Sequence, residues 1–135
     1  MKIEIEERFS EAKCLHYPNK LFIFGDNLFR VGKGGQAIIR DCKNAIGIAT
    51  KDSIDRYMSD SNFFEYSLSI MLDIQRIKDE FNDKSNNYDT IVFPKNGLGT
   101  GLSNMQVKCP RTFLFLSQVL LEEFGFNNMQ NLKSE

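Results

Sequence analysis

The sequence predicts an α/β fold, a three-layer α/β/α sandwich on a mixed sheet whose central strands run parallel. Three observations predict it. The run at 21–24 is continuous and apolar rather than alternating, and the segments at 46–50 and 88–94 likewise read as buried strands, as in strands covered on both faces. Stretches with helical spacing separate or follow them, so strands and helices alternate along the chain. Each run also empties into a loop carrying unusual residues, and loops after parallel strands emerge together at the carboxyl edge of a sheet, where ligands bind.

The elements follow in order. "KIEIEERF" alternates polar and apolar residues, which suits a half-buried edge strand. "LFIF" at 21–24 is the first buried strand, and "QAIIRDCKNA" after the glycines suits a short helix closed near Asn44. "IGIAT" at 46–50 is the second buried strand. Phe63, Tyr66, Ile70, Ile74, Ile77 and Phe81 then recur at steps of three or four, one stripe of a long helix against the sheet. Turn formers in "FNDKSNN" end it, and "YDTIVFP" is the third buried strand. Pro110 suits the first turn of a last helix through "RTFLFLSQVLLEEFG". Residues 127–135 are expected to fray. No repeat or linker divides the chain, so 1–135 reads as a single domain.

Composition narrows the function. With 135 residues and 41% hydrophobic content the chain can bury a core without staples. A formal net charge of −1 argues against broad non-specific nucleic-acid binding while leaving room for a small basic patch. Cys14, Cys42 and Cys109 are far apart with no CxxC, and the start "MKIEIEERFS" is polar, which together point to a reducing cytoplasm. His16 is the single histidine, so no metal site and no cofactor are expected. The apolar runs are too short for a membrane span.

Two glycine loops carry the chemistry. A P-loop would place Ser or Thr after Gly32-Lys33, but Gly34 follows. "GKGGQA" has the glycine spacing of a dinucleotide turn, yet seven residues separate Phe24 from Gly32, where that turn should follow its strand directly. A general property remains: backbone N–H groups of 32–35 before a helix favour an anion. Gly97, Gly99 and Gly101 form a second loop where missing side chains let backbone amides approach a ligand. Either loop alone is equally what a tight turn with positive φ requires. The pair, each after a buried strand of one sheet, points to a diphosphate held between them.

"FGDNLFRVGKGGQA", "IGIATK" and "IVFPKNGLGTGL" together resemble macrodomains, the ADP-ribose-binding modules, in order and spacing. The resemblance covers about residues 21–102 and is closest to the compact ADP-ribose glycohydrolase-type branch, which includes antitoxins that remove ADP-ribose from DNA. Short phage-encoded macrodomain-like proteins are also similar. The resemblance implies a macrodomain-like sandwich and places Asn27 near the distal ribose. It puts Gly32, Gly34 and Gly35 at the first phosphate-facing turn and Gly97, Leu98, Gly99, Thr100, Gly101 and Leu102 at the second. Lys51 falls where that branch has a lysine acting at C1″ of the distal ribose. Two positions depart from the pattern: Gly101 stands where some members have an acid, and Ala49 stands where a proline usually precedes the Thr-Lys pair.

On their own terms, Lys51 at a strand end is either a nucleophile activated by its surroundings or an ordinary solvated lysine. Asp26 is either a base or hydrogen-bond acceptor for the ligand, or an Asx turn closing the strand. Phe29 either stacks on a base or ribose, or plugs the turn. Lys33 and Arg30 offer charge beside the first loop, and Lys95 beside the second. Asp52 and Ser53 either touch the ligand or start a helix. His16 and Cys42 suit structural roles.

The resemblance thus implies binding of ADP-ribose or a related NAD-derived nucleotide, with removal of ADP-ribose from a modified protein or nucleic acid as its catalytic form. Lys51 and Asp26 are the catalytic candidates; Asn27, Phe29, Lys33 and the glycine-loop residues are the ligand-binding ones. The alternatives are a non-catalytic module that sequesters the nucleotide, as in phage counter-defence, and an interaction protein with no ligand. The expected location is the cytoplasm, that of the host if the chain is phage-encoded.

Overall fold

The computed structural model describes residues 1–129. Its five strands are β1 (Lys2–Glu6), β2 (Lys20–Asn27), β3 (Ala45–Ser53), β4 (Arg56–Tyr57) and β5 (Thr90–Pro94). They form one sheet in the order β1-β5-β2-β3-β4, parallel throughout except for the antiparallel β3–β4 pair. The helices are α1 (Glu11–His16), α2 (Phe63–Asn82), α3 (Met105–Lys108) and α4 (Pro110–Phe124). Two 3-10 turns, Gly35–Ile39 and Asp60–Asn62, complete the element order.

Side-chain alternation along the central strands divides the core in two. Leu21 and Ile23 of β2, with Ile91 and Phe93 of β5, pack among α2 and α4 residues such as Ile70, Ile74, Phe113 and Leu120. Phe22, Phe24 and Val92 face the other way and pack with Phe9, Cys14, Ala37 and Ile39. The long stripe on α2 is buried as its spacing requires, at Tyr66, Ile70, Ile74 and Ile77. Gly125 in the left-handed region closes α4, its N–H donating to the Leu121 carbonyl. Among the described residues, no helix is long and apolar enough to cross a membrane.

Several expectations need correction. The helix expected in "QAIIRDCKNA" is only the 3-10 turn Gly35–Ile39, and Asn44 acts elsewhere. Its side-chain amide donates to the carbonyls of Cys14, Tyr17 and Lys20, tying α1 to the start of β2. "KDS" starts no helix, because β3 runs on to Ser53 and turns back into β4. Helix α1 carried no periodic signal because Cys14 is its one buried residue; its marker is the Ser10 side chain accepting from the Lys13 N–H. The expected fraying does not begin at Asn127: Asn128 is 3% exposed and bonded into the fold. The rest of that expected tail, 130–135, lies outside the described residues.

Candidate functional site

Strand β5 inserts between β1 and β2, so the loops after β2 and β5 leave neighbouring strand ends. Their divergence opens a crevice at the carboxyl edge of the sheet. β3 adds a third wall. Its register against β2 slips between Asp26 and Asn27, so Asn27 is matched with Lys51 instead of Thr50. That bulge sets Lys51 at the crevice.

The first loop is clasped from within. Asn27 forms an Asx turn, its Oδ1 accepting from the Phe29 N–H at 3.0 Å and its Nδ2 donating to the Val31 carbonyl at 2.8 Å. Arg40 donates from Nε to the Gly32 carbonyl at 2.7 Å and from Nη2 to the Val31 carbonyl at 3.0 Å. Its guanidinium also meets the Asp26 carboxylate with two bonds, the longer at 2.9 Å. Asp26 fits against β3 because Gly47 has no side chain: a Cβ there would lie 2.7 Å from the carboxylate. Arg30, at φ +58, sits 3.6 Å from Asp26 and donates to buried Asp73 of α2 at 2.8 Å, and Asp73 accepts from the Ala49 N–H. Two carboxylates and their arginines thus join the loop, both central strands and α2.

The second loop is fixed from behind. Gly97 and Gly99 have φ of +85 and +81. The Asn128 amide pairs with both backbone groups of Leu98, accepting its N–H at 2.7 Å and donating to its carbonyl at 2.9 Å. The Thr100 hydroxyl donates to the Asn96 carbonyl at 2.6 Å. Gln36 then links the two loops: its Oε1 accepts from the Gly25 N–H at 2.8 Å and its Nε2 donates to the Gly97 carbonyl at 3.3 Å.

Between the loops lies a cleft of about 570 Å³. Its lining includes Gly32, Gly34 and Gly35 of the first loop and Gly99, Gly101 and Leu102 of the second. Lys51, Asp26 and Asn27 are in its walls. The Lys51 ammonium donates to the Ile54 carbonyl and stands 5.2 Å from the Tyr57 ring centroid, a positive group at the rim. Positions 34 and 101 differ from the other loop glycines. Neither has a positive φ, and a Cβ would meet nothing within 4 Å at either one, so the fold itself does not require glycine there.

Other candidates are placed elsewhere. Phe29 is 68% exposed and outside the cleft lining. Leu98 is buried in the core, and Gly97 and Thr100 shape the loop without lining the cleft. Lys33 pairs with Asp41 at 3.0 Å, and that hydrogen bond pushes its pKa up. It lines a second chamber of about 470 Å³ with Arg8, Ile38 and Asn96. Gly35 and Gln36 line both this pocket and the cleft. The cysteines stay outside both chambers. Burial and then the neighbouring Cys42 push the Cys14 thiol up to about 12, and burial pushes Cys109 to about 11, which keeps both protonated. His16 packs edge-on against Tyr17.

Sequence reasoning missed Gln36 and Arg40. Gln36 lies inside the quoted "GKGGQA", but nothing local says that its amide reaches Gly97. Arg40 sits in the stretch expected to be a short helix, and nothing local says that its guanidinium reaches Asp26.

Fold and cleft define an α/β protein with a glycine-walled cleft at the carboxyl ends of parallel strands. A family model matches residues 4–119, and the chain belongs to that family, described as "Family of unknown function (DUF7831)". No curated protein and no solved structure matches the chain.

Proposed function

We propose that the protein is a macrodomain-like sandwich that binds ADP-ribose or a related NAD-derived nucleotide in this cleft. One observation carries the reading: both glycine loops and Lys51, remote in sequence, line a single cleft, across which Gln36 bonds the end of β2 to the second loop. Backbone amides on two sides suit a diphosphate. The openness of positions 34 and 101 leaves room for phosphate oxygens at the backbone.

Binding without catalysis is the reading we favour over hydrolysis. Asp26, the one candidate base in the wall, holds Arg40 with both carboxylate oxygens, and Gly101 offers no acid. Lys51 then serves as a cation at the ligand's far end. The reading places the protein in the cytoplasm, where such nucleotides occur.

Calorimetry and thermal shift with ADP-ribose, NAD and AMP test the binding. ADP-ribose should raise the melting temperature and AMP should do so less, because it lacks the diphosphate and the distal ribose; no shift with any of them overturns the reading. Release of ADP-ribose from a modified substrate by the wild type, abolished in Lys51→Ala, would overturn the preference for binding alone.

A further inference from the structure

Beyond the cleft rim, cations and rings are interleaved. The Lys51 and Lys108 ammonium groups lie 5.2 and 4.8 Å from the centroid of Tyr57, and the Arg111 guanidinium lies 4.0 Å from that of Phe63. Arg56 is exposed on the same two-residue strand as Tyr57. The nearby acids are turned to internal work: Asp52 accepts from the buried Tyr66 hydroxyl at 2.7 Å, and Asp60 accepts from the Arg111 and Thr112 N–H groups at the start of α4. Asp55 is the exposed acid of the β3–β4 turn. Beside the cations stand exposed aliphatics, Ile54 at the turn, Leu102 at the cleft rim and Val107 on α3.

We propose that this face, formed by β4, α3 and the start of α4, docks an acidic peptide segment with apolar residues among its carboxylates. The proposal rests on the reading of the cleft: the segment is the polypeptide flanking an ADP-ribosylated residue whose modification enters beside Lys51. Charge complementarity selects an anionic partner. The rings select between anionic partners, because their faces already hold cations and are not open platforms for stacked bases. A guanidinium lying over a ring keeps its edge N–H groups available to a carboxylate. The exposed aliphatics suit peptide side chains, whereas a polynucleotide calls for a broader basic surface than a chain of net charge −1 provides.

The test uses the full chain and a short fluorescein-labelled peptide of alternating Glu and Leu, with a Lys-Leu peptide and an oligo-thymidine strand as competitors for the reading. The Glu-Leu peptide should raise the anisotropy, and added salt should weaken its binding. Arg56→Glu combined with Lys108→Glu, two exposed positions outside the cleft, should weaken it by about tenfold or more. Arg111→Gln supplies a second, milder variant. The double variant should keep the wild-type melting temperature and its shift with ADP-ribose. Peptide binding absent from the wild type, unchanged in the variants, or weaker than oligo-thymidine binding overturns the proposal. A missing ADP-ribose shift in a chain that still binds the peptide removes the cleft reading and the modification with it, and leaves the acidic-peptide surface standing.

Discussion

The side chain of Gln36 accepts the Gly25 N–H at 2.8 Å and donates to the carbonyl of Gly97, 61 residues further along the chain, at 3.3 Å. One amide therefore fixes the end of β2 relative to the second glycine loop, and hence the width of the cleft. Gln36→Ala should leave both backbone groups to find new partners, at a cost of about 1–3 kcal/mol. Urea unfolding reads that loss. The ADP-ribose affinity should fall as well, since the two loops no longer share a fixed spacing.

The loop glycines divide into two classes with opposite expected signatures. Gly34→Ala and Gly101→Ala put a methyl into open space and should leave the melting temperature unchanged while weakening ADP-ribose binding. Gly99→Ala should destabilise, because φ is +81 and its Cβ would lie 2.4 Å from the Met105 sulfur. Unchanged affinity in both of the first two variants would show that no ligand approaches those amides.

Asp26→Asn separates a clamp from a base. Breaking the Asp26–Arg40 pair should cost on the order of 3 kcal/mol, since it leaves a largely buried guanidinium without its carboxylate. A variant that keeps wild-type stability but loses a measurable hydrolysis would restore the catalytic role.

Asp60 gives a pH signature. Burial raises its pKa, but the Arg111 N–H, the Thr112 hydroxyl and the Thr112 N–H together bring it below 3.8. A lowered folded pKa means that the carboxylate's contribution is complete above 3.8 and is lost as pH falls through the depressed value. Asp60→Asn keeps one acceptor oxygen but turns an amide N–H group towards donors, and should cost about 1–3 kcal/mol at neutral pH. Its stability curve should also be flatter than the wild type's in acid, which melting curves across that range would detect.

Much of the frame was legible in the residues. The runs at 21–24 and 46–50 became the cores of β2 and β3, and the segment expected at 88–94 became β5 from Thr90 onward, with exposed Asp89 before it, because burial on both faces favours apolar side chains. The spacing from Phe63 to Phe81 became α2 because a helix that packs one face on a sheet repeats its apolar side chains every three or four residues. The glycine loops and Lys51 were visible as punctuation at strand ends, where backbone freedom and charge are unusual.

The tertiary structure decided what those residues do. Whether Asp26 meets a ligand or Arg40, whether Lys51 or Thr50 stands opposite Asn27, and which residue braces Leu98 depend on partners brought together by sheet order and register. Hydrophobic periodicity encodes which face a side chain takes, since burial is a property of one position. A hydrogen bond or ion pair is a property of two. Its second member, Gly97 for Gln36 or Asn128 for Leu98, is chosen only once the chain has folded.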